Sequence, residues 1–193
     1  MSPYYFTRLA TIAMVGAVLG YSVGGSPVSP IGAVQLQDGT VYFNQPPSLV
    51  DAITTSTIAD DWSATYYFTI ALPAKAGEPL QKVTISQAEG VDRVNFATQH
   101  MAAFAGQPRQ LGQPLTIADR QIDRSTRTVT IGFDPAIEPG QTITIALDPH
   151  RNPFSEGVYL FGVTAYPQGE KSHGQFLGYG RFHFYRGVGF FFR

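Results

Sequence analysis

The 193-residue sequence contains no cysteine. Its absence excludes disulfides, thiolate nucleophiles, cysteine-held metals and a lipid anchor on a cysteine. A chain without thiols suits an oxidising, exported compartment, although it does not identify one. Charge is scarce as well: Asp, Glu, Lys and Arg make up 14% of the chain, against about 25% in ordinary soluble domains. The 13 basic and 14 acidic residues leave a net charge of −1. No run of Lys and Arg is present to displace phosphate counterions, which argues against nucleic acid as a partner. Also missing are Gly-x-Ser-x-Gly, His-Glu-x-x-His, a glycine-rich phosphate loop before a helix, and Ser-x-x-Lys with its supporting boxes. No catalytic constellation is therefore legible. There is no sustained helical repeat in the body of the chain.

What the chain does have is glycine, proline and aromatics, with 20 Gly, 14 Pro, 14 Phe and 10 Tyr. These suit short strands separated by many turns. Val34-Gln35-Leu36 and Thr40-Val41-Tyr42-Phe43 flank Asp38-Gly39, a dipeptide that tolerates the positive φ of a tight hairpin turn. From Ala64 to Leu72, Tyr66, Phe68, Ile70 and Leu72 alternate with Thr65, Tyr67, Thr69 and Ala71, which predicts a strand with the first set facing a core. Val83 and Ile85 alternate with Lys82, Thr84 and Ser86 in the same way. Val129, Ile131 and Phe133 repeat the pattern, as do Ile143, Ile145 and Leu147, and the threonines between them predict wet outer faces. The last two strands, separated by a connection carrying Pro135 and Pro139, are expected to be antiparallel neighbours. Gly157 to Tyr166 and Gln175 to Tyr185 form a further expected hairpin with a mobile tip. Val94 to Phe104 fits either a short helix or a bent strand.

A chain of this size buries roughly 70% of its unfolded surface, enough for one domain. The expected fold is an all-β, antiparallel two-sheet sandwich, immunoglobulin-like, of about eight to nine strands. A small closed β-barrel is the alternative. The single domain spans residues 33–186, followed by an aromatic tail at 187–193 that contains Phe190-Phe191-Phe192.

Residues 1–25 have the layout of a secretory signal: Arg8 near the start, an apolar core from Leu9 to Leu19, and small residues at the exit. That core is shorter than the ~20 residues of a permanent membrane helix, so no transmembrane span is expected after cleavage. Val23 and Gly25 place the cleavage before Ser26, leaving residues 26–32 as a flexible mature N-terminus. An uncleaved N-terminal anchor is the other reading.

Several long runs carry a resemblance. Val34 to Phe43, Gln45-Pro46-Pro47, Leu49-Val50-Asp51-Ala52 and Ala64-Thr65-Tyr66-Tyr67-Phe68, then Arg151-Asn152-Pro153, Gly157 to Ala165, Gly174 to Gly178 and Arg181 to Tyr185, resemble an exported cyanobacterial family catalogued as domain of unknown function 2808. The resemblance implies a cyanobacterial source and an envelope or lumenal location (periplasm, thylakoid lumen or extracellular space). It implies no activity.

The candidate site residues fall in three groups. Asp148-Pro149-His150-Arg151-Asn152-Pro153 is the densest polar loop, and its two prolines restrict it. His150, Arg151 and Asn152 there could form a recognition surface or a corner between sheets, with Arg151 paired to a carboxylate. Strand alternation puts Arg181, His183 and Tyr185 on one face, a stripe for binding or a solvated surface over Phe182 and Phe184. A copper-type metal site would need His173 together with His150 or His183. Asp60-Asp61 before Trp62 fits local turn bonding better than calcium, and Trp62 reads as a core or rim anchor. The leading functional expectation is a non-enzymatic exported binding or structural module, without a cofactor, whose partner is an envelope or lumenal protein. A periplasmic copper-binding protein and a hydrolase with an unfamiliar site are the alternatives. Mass analysis of the exported product is expected to give a mature chain beginning at Ser26, whereas an intact leader would mean the anchor is retained.

Overall fold

A computed structural model describes residues 34–35 and 38–187. The expected leader, the mature N-terminus at 26–32 and all but the first residue of the tail lie outside the described residues. The strands are β1 (Val34–Gln35), β2 (Thr40–Tyr42), β3 (Ser48–Thr54), β4 (Tyr66–Ala71) and β5 (Leu80–Glu89). They continue as β6 (Phe96–Gln107), β7 (Gln110–Pro114), β8 (Ile117–Asp123) and β9 (Thr128–Ile137). The last are β10 (Thr142–Pro149), β11 (Gly157–Pro167), β12 (Lys171–Ser172) and β13 (Gln175–Phe184).

Two five-stranded antiparallel sheets, ordered β3-β4-β10-β6-β7 and β13-β11-β5-β9-β8, face each other across one core. The period-two strands have the expected sidedness. Tyr66, Phe68 and Ile70 of β4 and Ile143, Ile145 and Leu147 of β10 are fully buried, and they meet Val83, Ile131, Phe161 and Phe184 from the second sheet. An aromatic cluster fills one half of the core. The Tyr66 ring stacks on Phe182 at 4.8 Å between centroids, and Phe161 stands edge-on to Tyr66 at 5.8 Å.

The arrangement is a sandwich, and no ladder closes it into a barrel among the described residues. Edge strands β3 and β13 come together without pairing, at Gly180. A Cβ there would lie 2.7 Å from the Ala52 Cβ and 2.9 Å from the Phe68 ring. The bare backbone is what lets the two sheets approach.

Several expectations are corrected. β9 and β10 belong to opposite sheets and are not neighbours. Alternation identifies a strand's buried face but not its partner, and two inward faces are served equally well across a core. The connection crosses at Gly140 (φ 90°), whose amide donates to the Leu72 carbonyl at the end of β4. Val94 to Phe104, open between a short helix and a bent strand, takes the strand form, belonging largely to β6 with an irregularity opposite Leu147 and Pro149. The outer face of β10 is not wet. Thr144 is buried, hydrogen-bonded to Thr69 at 3.0 Å and to the Gly106 carbonyl, under Tyr67 and Phe104, whose rings meet across the strand. The β11–β13 connection, expected to be mobile, carries β12, which pairs in parallel with β2. The His173 amide donates to the Val41 carbonyl at 2.9 Å and ties that turn down.

Replacing Gly180 by Ala forces a methyl against the Ala52 methyl and the buried Phe68 ring, so the two strands or the ring must shift. A loss of about 1–3 kcal/mol is expected in urea unfolding, and an unchanged midpoint would show that the sheets are not in close contact there.

Candidate functional site

One end of the sandwich is built from the β3–β4, β5–β6 and β10–β11 loops, and buried polar groups lock them together. Asn152 is 2% exposed. Its side-chain oxygen accepts from the Tyr66 hydroxyl at 2.8 Å, and its amide nitrogen donates to the carbonyls of Ser56 and Ile58. The Asn152 backbone amide donates to the Asp61 carbonyl, and the Asp60 amide donates to the Pro153 carbonyl. Gln87 plays the same part for the neighbouring loop, donating to the Asp92 carbonyl and accepting from the Val94 amide. Burial raises the Tyr66 hydroxyl's pKa above its ordinary value, with a further push from Tyr159, so Tyr66 remains a donor.

This frame fixes three side chains at the surface. Asp60, at φ 65°, holds the Arg151 guanidinium at 2.6 Å, and the guanidinium lies over the Trp62 ring at 3.8 Å. Asp61 turns back on its own loop. The Ser56 hydroxyl, then the Ser63 amide and hydroxyl, hold its carboxyl below the usual range. The aspartates therefore serve the turn and the arginine, as the local reading expects. Trp62 departs from the expectation of a core or rim anchor: it is 71% exposed, with the guanidinium covering one face.

Beside Trp62 lies an open cleft of about 310 Å³, lined also by Thr65, Gln99, His100, Asp148 and His150. The Thr65 hydroxyl donates to one Asp148 oxygen at 2.7 Å, and His100 Nδ1 stands 3.8 Å from the other. Thr65 thus addresses the carboxylate directly, which is not the hydroxyl–imidazole–carboxylate relay of a hydrolase.

A second surface runs along the outer face of β13. Arg181, His183 and Tyr185 are exposed as alternation predicts, while Phe182 and Phe184 are buried. The Tyr185 hydroxyl and His183 Nδ1 are 3.1 Å apart, and their rings stack. The stripe is longer than alternation suggests. Tyr179 continues the alternation, and beyond Gly178 (φ 127°) the register with β11 slips by one residue, so Phe176 faces outward as well. Their exposures are 48% and 56%, and their rings are 5.0 Å apart over Gly162. A glycine inside a strand is the sequence signal for such a bulge.

Of the predicted residues, His150 and Arg151 are at the loop end, and Arg181, His183 and Tyr185 line β13. Asn152 is correctly placed in its loop but is spent as an internal brace, since both of its amide hydrogens and its oxygen are committed inside. The three histidines are not gathered. His173 stacks on Tyr42 at the start of β13, roughly 25 Å along the strand from His183. Among the described residues, no three His, Asp or Glu side chains are grouped to hold a metal ion. The sequence reading missed His100, Asp148 as a cleft residue, and the exposed Trp62, because the contacts that place them join distant segments.

The fold defines an antiparallel two-sheet sandwich with a rigid loop end and an aromatic outer strand. The chain belongs to the family described as protein of unknown function (DUF2808), whose model matches residues 40–184. Comparison with curated proteins gives no match. Among solved structures, the chain is similar to the bacterial hydrophobin BslA, with 16% identity over 74% of this chain and 96% of that one, at a TM-score of 0.43. It is also similar to the collagen-binding domain of a Staphylococcus aureus adhesin, with 6% identity over 64% and 87% and a TM-score of 0.37. A third likeness is to the C-terminal domain of the Streptococcus pyogenes antigen I/II-family protein AspA, with 12% identity over 69% and 46% and a TM-score of 0.42. Likenesses of this order bear on neither ligand nor partner.

Replacing Asn152 by Ala strands two buried carbonyls and the Tyr66 hydroxyl. A loss of about 3 kcal/mol is expected, with a red-shifted Trp62 emission as its loop loosens. Tyr66→Phe, which leaves one acceptor unpaired, should cost about 1–2 kcal/mol. Equal, negligible losses in urea unfolding would show that the brace carries no load.

Proposed function

We propose that the mature chain is a non-enzymatic exported binding or structural module of the cyanobacterial envelope or thylakoid lumen, docking on a protein partner through the outer face of β13. The observation that carries this reading is the stripe itself. Phe176, Tyr179, Arg181, His183 and Tyr185 stand outward in one line on a strand whose inner face is anchored in the core. Aromatic rings and arginine are the residue types concentrated at the centres of protein interfaces, where they supply large contact area at little entropic cost. Tyr and His limit each other's freedom here by stacking, so part of the ordering cost of association is already met.

The leader pattern supports export, and the family resemblance supports the cyanobacterial setting. Among the described residues, no helix is long and apolar enough to cross a membrane. A role in binding fits a cleft whose threonine is bonded straight to the carboxylate better than a hydrolase does.

A photo-crosslinking residue placed at Tyr179 in the tagged full-length protein, in its own cells, should capture a discrete neighbouring protein. The same residue at Gln121 on β8 should not, and Arg181→Glu should abolish the Tyr179 product. Identical products from both positions, or a product indifferent to Arg181→Glu, would remove β13 as the docking face.

A further inference from the structure

We infer that Trp62 and the cleft beside it bind a neutral saccharide. This site is separate from the β13 stripe, and it shares with the preceding reading only the premise that the chain works by binding. The first ground is the state of the tryptophan. Single exposed apolar residues are commonplace, but this ring is exposed and held. Its guanidinium neighbour is fixed by Asp60 at 2.6 Å, the two residues before it are hydrogen-bonded to the β10–β11 loop through the Asp60 amide and the Asp61 carbonyl, and Ser63 after it is held by the Asp61 carboxylate. Its orientation is therefore set before any ligand arrives, which lowers the entropic cost of using it. The face that Arg151 leaves open is flat, apolar and electron-rich, and it attracts the weakly positive C–H groups on the face of a pyranose ring.

The second ground is the chemistry around the ring. Thr65 orients the Asp148 carboxylate through one oxygen and leaves the other directed toward His100. A carboxylate accepts hydrogen bonds from two adjacent hydroxyls, and an imidazole and the Gln99 amide can both donate and accept. A polyhydroxylated ring uses both features at once, its face on Trp62 and its rim hydroxyls on the polar groups. Other ligand classes leave one of them unsatisfied. An anion would face Asp148, an apolar ligand would strip water from that carboxylate without replacing it, and no metal-holding trio exists among the described residues. The cleft, about 310 Å³ and open to the surface, is at the small end of the range for ligand sites and suits a short length of saccharide chain lying across it.

Trp62 is the single tryptophan of the sequence, so intrinsic emission reports on this site alone. Titration of the purified mature protein with cellotetraose, chitotetraose, maltotetraose and mannotetraose should give a saturable change in emission with at least one of them. Calorimetry with that sugar should show binding weakened roughly tenfold or more by Trp62→Ala, less by Trp62→Phe, and roughly tenfold by Asp148→Asn. Arg181→Glu should leave it unchanged. Saturation by none of the four, or equal affinity in the wild type and Trp62→Ala, would overturn the inference. Trp62 is exposed, so its variants remain folded and informative even where Asp148→Asn does not. Absent sugar binding with intact crosslinks from β13 would sink the saccharide site and leave the protein-docking reading standing. The reverse pattern would do the opposite.

Discussion

The hydrogen bond from the Tyr66 hydroxyl to Asn152 joins the core of this protein to its working end. The Tyr66 ring lies among Phe96, Phe161, Phe182 and Phe184, so the position of its hydroxyl is dictated by the packing of both sheets. Asn152 receives that hydroxyl and passes the constraint to the β3–β4 loop through two carbonyls. Together with the main-chain bonds between the same two loops, this buried contact positions the Asp60–Arg151 pair and the ring beneath it. A loop end can be rigid without disulfides when polar groups are buried in fully satisfied sets, and a cysteine-free chain relies on that solution.

The central strands were legible because their two faces differ so sharply. Tyr66, Phe68 and Ile70, or Val129, Ile131 and Phe133, admit only one orientation toward a core. The edges were not. β3 lies at a sheet edge with no residue fully buried, β7 is short, and Ala118 to Gln121 all lie exposed, so no alternation marks β8. Partner choice was also hidden, as the β9 and β10 assignment shows: periodicity describes faces, whereas pairing is decided by how the turn at Gly140 directs the chain.

The candidate sites divide along the same line. Arg181, His183 and Tyr185 could be read because they follow strand parity. Tyr179 shares their parity and continues the stripe, whereas Phe176 escaped because one extra residue next to Gly178 reverses that parity. Trp62 and Asp148 escaped for a different reason. Their environments are made by residues far off in the sequence, Arg151 for one and Thr65 for the other, and no local pattern encodes such a meeting. The histidine trio illustrates the converse, since residues that share a chemistry need not share an end of the molecule.

The close approach at Gly180 has a consequence for how this molecule meets its own copies. By laying β13 against β3, it covers the open main-chain groups of two sheet edges with each other, on the flank where the aromatic stripe would otherwise invite strand addition. The opposite flank is guarded by other means. Asp119, Arg120 and Asp123 line β8, and Pro114 ends β7 without a donor. The protein can therefore display sticky side chains on a sheet face while denying partners a sheet edge, which separates selective docking from fibre-like self-association.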